Sequence, residues 1–179
     1  MLVAQSVIPR LISMRECAIS GIGDKVYSGK KIKPAPAVAY NGSPLVEGID
    51  YTLSYSNNKA IGTAMVTVTG IGNYAESVDV KFKINPKGVA LSKLKAGAKQ
   101  LTVKWQKGKG VTGYQVQYSL KKNFSGAKTV TVKKAATVET VLKKLTAGKT
   151  YYVRVRAYAT VKGKKYYSEW SKAKSAKVK

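Results

Sequence analysis

Leu145-Thr-Ala-Gly-Lys-Thr150-Tyr151-Tyr-Val153-Arg-Val155-Arg-Ala157 opens on a leucine, turns through a glycine, and then alternates apolar with basic side chains. Side chains on a β-strand point to opposite faces in turn, so Val153 and Val155 facing a core oblige Arg154 and Arg156 to face outward. The same alternation, over five to eight residues and cut by Gly, Pro, Asn or Lys-rich turns, recurs on both sides of this stretch. Upstream, Leu101, Val103 and Trp105 share one face of Gln100–Trp105, and Tyr114, Val116 and Tyr118 share one face of the next run. Thr129–Lys133, Thr137–Leu142 and Trp170–Val178 complete six or seven short strands with no helical period between them, the pattern of a β-sandwich.

The first half repeats this grammar. Tyr51–Tyr55 and Ala64–Thr69 alternate, and Ser77–Ile84 puts Val78, Val80, Phe82 and Ile84 on one side, with shorter candidates near Ala18–Ile22 and Ala37–Tyr40. Asn85-Pro86-Lys87-Gly88 ends the pattern where the charge density changes. The expected organisation is all-β: a lead segment over 1–18, read as a linker or part of an upstream repeat, then two tandem β-sandwich domains over 19–86 and 87–179.

The second half resembles the fibronectin type III domain. The resemblance rests on Trp105 closing an early strand, on Tyr114 and Tyr118 in the next, and on the quoted run from Leu145 to Ala157. It implies that Tyr151 is the family's tyrosine corner, that Trp105 is a core marker, and that the fold carries no catalytic site. Ala147 stands where the family usually has a proline. Tyr167-Ser-Glu-Trp170-Ser is one residue away from the WSxWS box of cytokine-receptor domains with this fold. That resemblance implies an external ladder in which Arg154 and Arg156 interleave with Tyr167 and Trp170. The first half looks like glycine- and tyrosine-rich repeats of large bacterial surface proteins, through Asp50–Asn58, Gly62–Gly70, Gly72-Asn73-Tyr74 and Val26–Lys30. An immunoglobulin-like module is implied.

Charge separates the halves more sharply than pattern. Of 33 Lys+Arg and 8 Asp+Glu, 24 bases and two acids, Glu139 and Glu169, lie from Lys87 onward, a net of +22 against +3 for the first 86 residues. Such a field attracts polyanions without choosing among nucleic acid, anionic lipid and wall polymer. The lysine turn Lys162-Gly-Lys164-Lys165 is the candidate contact. Tyr152, Tyr158 and Tyr166 are the rings left free to stack on a partner, and the remaining lysine pairs, at 121–122, 133–134 and 143–144, either gather at one end of the sandwich or spread over both.

Other chemistry is poorly served. The absence of histidine removes Ser-His and Cys-His catalysis and most zinc sites. Gly108-Lys-Gly110-Val-Thr-Gly113 spells GxGxxG, but it runs into a strand rather than the helix a dinucleotide phosphate needs, so it is a turn. Glu47, Asp50, Glu76 and Asp79 lie in or near turns, with Asp79 facing solvent, and build no desolvated acid pair. Cys17 is a lone thiol without an internal disulfide partner. Asn41-Gly-Ser43 and Asn123-Phe-Ser125 are chance glycosylation matches, and no Arg-Gly-Asp occurs.

Residues 1–17 carry no signal peptide and no run is long enough to span a membrane, so an exported chain of this kind is expected to be the tail of something longer. The expectation is non-catalytic, cofactor-free and metal-free adhesion or spacer modules at the cell surface or outside the cell, resting on anionic wall polymer, with polysaccharide or protein as other partners. An accessory tail of a secreted glycan-active enzyme is the alternative, and a nucleic-acid-binding protein the third reading.

Overall fold

The computed structural model describes residues 10–179, which are all-β, with one short 3-10 turn at Met14–Glu16 and no α-helix. The chain divides into two compact units. The first holds residues up to Asp24, Lys31–Asn58 and Thr63–Phe82; the second holds Lys25–Lys30, Lys59–Gly62 and Lys83–Lys179. Together they make two tandem β-sandwich units.

Nine strands are met before Pro86: β1 (Ile12–Ser13), β2 (Ala18–Ser20), β3 (Lys25–Val26), β4 (Ala37–Tyr40), β5 (Ser43–Pro44), β6 (Tyr51–Ser56), β7 (Gly62–Gly70), β8 (Tyr74–Ala75) and β9 (Ser77–Asn85). In the first unit β9, β7 and β6 are successive neighbours, β4 lies between β2 and β5, and β1 runs parallel to β8. The alternation of β7 buries Ala64, Val66 and Val68. Its other face is polar: Thr67 Oγ1 donates to Asp79 Oδ1 at 2.6 Å, and the Thr69 and Ser77 hydroxyls lie 2.9 Å apart.

Residues 1–9 of the expected lead segment lie outside the described residues. Residues 10–18 supply β1, the 3-10 turn and the start of β2, and Met14 is fully buried among Val38, Tyr51 and Val68. Pro9 and Arg10 break the apolar pattern just upstream, which hides this contribution in the sequence. Met14→Ala should destabilise the first unit by about 2–4 kcal/mol, the cost of a buried methionine cavity, and urea unfolding followed by circular dichroism checks it.

The second unit is built from β10 (Leu91–Gly97), β11 (Gln100–Trp105), β12 (Gly113–Ser119), β13 (Lys128–Val132), β14 (Glu139–Leu142), β15 (Thr150–Val161), β16 (Lys164–Tyr167) and β17 (Lys174–Lys177). One sheet orders β10-β11-β14. The other orders β13-β12-β15, with β16 and β17 both paired to β15. Leu101, Val103 and Trp105 from one sheet meet Tyr114, Val116, Val153, Val155 and Ala157 from the other. The Trp105 and Tyr114 ring centroids are 5.3 Å apart.

The last strand is shorter than the expected Trp170–Val178. It begins at Lys174, because serine side chains replace the ladder before it. The Ala157 N–H donates to Ser168 Oγ (2.9 Å) and the Val155 N–H to Ser171 Oγ (3.0 Å), while the Ser168 and Ser171 N–H groups donate back to the Ala157 and Val155 carbonyls.

Tyr151 Oη accepts from the Thr146 N–H at 3.2 Å, tying β15 to the turn before it. That bond lowers the Tyr151 phenol below its ordinary value, and the Lys128 charge adds to the effect against the opposing effect of burial. Tyr151→Phe should cost about 1–2 kcal/mol by orphaning the amide, read as a lower urea midpoint with unchanged slope.

The GxGxxG run is a loop into β12. Gly110 has φ +68°, and the Gly108 N–H donates to Tyr114 Oη, whose own proton goes to the Ala135 carbonyl. Gly113 is needed for space: a Cβ there would strike the Val132 carbonyl oxygen and lie 2.9 Å from Tyr158 Oη. Gly113→Ala should therefore cost about 3 kcal/mol or more, measured by thermal unfolding.

Candidate functional site

The outward face of β15 carries a five-member stack. The Arg154 guanidinium carbon lies 4.0 Å from the Phe124 ring centroid and 4.7 Å from Trp170, and that of Arg156 lies 4.4 Å from Trp170 and 4.0 Å from Tyr167. The order is Phe124, Arg154, Trp170, Arg156, Tyr167. Each cation over a ring face contributes about 0.5–2 kcal/mol. The serine bonds at 168 and 171 hold Trp170 between the two arginines.

Register supplies the other half of the stack. Gln117 lies opposite Arg154 and Gln115 opposite Arg156 on the neighbouring strand. Arg154 Nε donates to Gln117 Oε1 at 2.7 Å, and Arg156 Nε and Nη2 both donate to Gln115 Oε1 at 2.9 and 2.8 Å. Burial pushes both guanidinium groups below their ordinary pKa; at Arg156, Tyr167 and Glu169 act in the opposite direction.

The structure thus brings Arg154, Arg156, Tyr167 and Trp170 together, and adds Phe124, Gln115 and Gln117. The glutamines had a signal, since they alternate with Tyr114, Val116 and Tyr118 and so face outward with the arginines. Phe124 had none: it reaches Arg154 because the β12–β13 turn folds back with Phe124 at φ +61°.

Lys162, Lys164 and Lys165 are exposed on the hairpin between β15 and β16. Lys162 and Gly163 take the two positive-φ positions of a two-residue turn, at +48° and +77°. Lys165 Nζ lies 5.5 Å from the Tyr158 ring and Lys164 Nζ 5.9 Å from Tyr166. The rings expected to stay available do not: Tyr158 and Tyr166 are 4% and 5% exposed, and Tyr152 is half-buried. Ile61 and Ala159 share the cluster that buries Tyr166. Every aromatic residue of the chain lies among the described residues, and each is buried or half-buried.

The lysines gather at two ends. The β12–β13 and β14–β15 turns place Lys121, Lys143 and Lys144 at the Tyr151 end of β15. The β13–β14 connection and the β15–β16 hairpin place Lys133, Lys134 and Lys162 at the other. Twelve residues of β15 put these ends roughly 35 Å apart at the rise of an extended strand. Among the described residues no His, Cys, Asp or Glu side chains group in threes to hold a metal ion, and no helix is long and apolar enough to cross a membrane. Cys17 is a free, half-buried thiol, its pKa raised by burial and then by Glu16.

Two sheets facing one buried tryptophan, closed by a tyrosine corner, define a β-sandwich module of the fibronectin type III class. Residues 85–174 match the fibronectin type III domain model, and the chain belongs to that family. Among solved structures it is similar to a segment of two fibronectin type III domains from chicken tenascin, with 17% identity, 90% of this chain and 97% of that chain covered, and a TM-score of 0.55. It is also similar to a myokine (22% identity, 52% of this chain and 95% of that one, TM-score 0.39). A β-1,2-glucanase from Parabacteroides distasonis matches at 17% identity over 64% of this chain and 17% of that one, with a TM-score of 0.44. No curated protein matches the chain.

Replacing Trp170 by alanine should leave the core intact and remove the centre of the stack. The expected cost is about 1–3 kcal/mol, and the coupling of Arg154 to Phe124 in a double-mutant cycle should be about 0.5–2 kcal/mol, both from urea unfolding.

Proposed function

We propose that this chain is a pair of non-catalytic modules of an exported bacterial surface or secreted protein, the first an immunoglobulin-like repeat and the second a cationic fibronectin type III domain that rests on anionic wall polymer. The modules act as spacer and adhesive, holding a functional part of the protein away from the cell. The observation that carries this reading is the pairing of a +22 half-chain with a surface on which every aromatic residue is buried or half-buried and the ladder rings are already stacked on arginines. Polyanion attraction needs the charge and not the rings, whereas single-stranded nucleic-acid binding uses free rings to stack on bases. Binding to a neutral polysaccharide, as in an accessory tail of a glycan-active enzyme, likewise calls for a strip of exposed rings.

The test is retention of the full chain on immobilised poly(glycerol phosphate) wall polymer, neutral polysaccharide and DNA at matched salt. Retention on the wall polymer should fall about 50-fold between about 50 and 200 mM salt if four phosphates are neutralised. With no histidine in the chain, it should be flat between about pH 5 and 8. Salt-insensitive retention on neutral polysaccharide, or preference for DNA, would overturn the reading.

A further inference from the structure

At the end of the second unit carrying the hairpin, Lys162 stands on a projecting two-residue turn with Lys164 and Lys165 beside it on β16, and a separate recess at that end has three lysines, Lys87, Lys107 and Lys109, in its wall. At the opposite end Lys121, Lys128, Lys143 and Lys144 line one groove of about 700 Å³, with Tyr118 and Tyr151 also in its wall. Lys99 and Lys149 come to the same end through main-chain bonds: Leu145 N–H donates to the Lys99 carbonyl at 3.0 Å and Val178 N–H to that of Lys149 at 3.0 Å.

No Asp or Glu side chain answers these charges. Glu139 lies opposite Lys104 and its carboxylate is 2.5 Å from Lys104 Nζ, about 13 Å of extended strand before Lys143. Glu169 follows Ser168, which is bonded to Ala157, roughly 20 Å along β15 from Tyr151. None of the four groove ammonium groups has a hydrogen-bond or ion-pair partner among the described residues. Like charges gathered round a recess without a counter-charge focus a positive potential there more than the same charges on a projecting turn.

The groove is also held in shape before anything binds. The buried Ser119 hydroxyl accepts from the Lys121 N–H and donates to the Ser125 carbonyl, both at 3.1 Å, and the Ser125 N–H donates to Asn123 Oδ1 at 3.0 Å. Phe124, in the same turn, is pinned by Arg154. The stack on the face of β15 thus fixes the loop that presents Lys121 and Ser125, so little ordering of the main chain is left for the moment of binding.

From this geometry we infer that the groove, and not the Lys162–Lys165 hairpin, is the polyanion site of the second unit, and that its ligand is a flexible phosphodiester-linked polymer without aromatic bases. The inference rests on the polyanion reading above and adds the place and the class of ligand. Lysines act as point charges on phosphate. The exposed Ser125 at the rim offers a hydroxyl to the ester oxygens or to sugar and polyol groups. The rings in the wall pack tilted against one another, Tyr118 and Tyr151 lying 6.3 Å apart, and Tyr151 is buried, so the wall presents no open stacking platform of the kind single-stranded nucleic acid uses. The apolar lip is the exposed Leu120.

The experiment compares the full chain, the quadruple variant Lys121→Ala, Lys128→Ala, Lys143→Ala, Lys144→Ala, and the triple variant Lys162→Ala, Lys164→Ala, Lys165→Ala, titrated with soluble poly(glycerol phosphate) and with a single-stranded DNA of matched charge. All seven side chains are exposed, and thermal unfolding checks that both variants keep the fold. The groove variant should lose about 30-fold or more in affinity for the polymer and lower the salt slope by about three, while the hairpin variant loses less than about threefold. Acetylation footprinting of the unmodified chain should show Lys121, Lys128, Lys143 and Lys144 protected by polymer and Lys162, Lys164 and Lys165 reactive. Phe124→Ala, which keeps every charge, should weaken binding about threefold by freeing the loop. Equal losses in the two lysine variants, or protection of the hairpin, would overturn the groove and leave the polyanion reading standing. DNA binding tighter than polymer binding would overturn the ligand class. No polymer binding by the unmodified chain would overturn the polyanion reading itself.

Discussion

The second unit depends on the alternation of β15. Val153, Val155 and Ala157 have no exposed surface, while Arg154 and Arg156 between them face outward. A slip of one residue would carry both guanidinium groups into the core, and an unpaired buried charge is among the costliest errors a fold can make. The register is therefore fixed from both sides of the strand. Through it are fixed the pairings to β12, β16 and β17, all of which take their places from β15.

That constraint divides the labour between two basic residue types. A planar guanidinium can stack on a ring and still donate in its own plane to a neighbour, and Arg154 and Arg156 do both, against Phe124, Trp170 and Tyr167 and toward Gln117 and Gln115. Their charge belongs to the architecture. The lysines, on turns and on the outward positions and ends of strands, are solvated and mostly unpaired, so the field available to a partner is theirs. Counting bases in the sequence merges these populations; their geometry separates them.

What could be seen in the sequence was whatever depends on the strand period or on a local turn. Val153, Val155, Trp105 and Tyr114 in the core follow from alternation. So do the outward arginines and, one strand over, the glutamines at 115 and 117. What could not be seen depends on contacts between distant segments. Phe124 reaches Arg154 through a turn with a residue at positive φ. The start of the last strand retreats to Lys174 because Ser168 and Ser171 take over main-chain bonds. Met14 enters a core from a segment whose pattern is broken at Pro9 and Arg10, and Tyr166 is buried in a cluster with Ile61, more than a hundred residues earlier. Periodicity carries no information about any of these.

The distribution of the lysine turns follows from topology. Successive connections in this antiparallel sandwich fall at alternate ends, so lysine pairs at 121–122, 133–134, 143–144 and 162–165, taken in order, land at one end, the other, the first again and the second again. Neither a single patch nor an even coat results; each end receives two of these four connections. What distinguishes the hairpin from the connections at the opposite end is relief. At one, a tight hairpin carries its charges outward into solvent. At the other, two turns and the start of β13 enclose a recess whose shape is held by a buried serine and by the stacked phenylalanine. Like charges round a recess focus a potential more than charges on a projection, and the arginine stack that takes the guanidinium charge out of play also braces the loop that shapes the four-lysine groove.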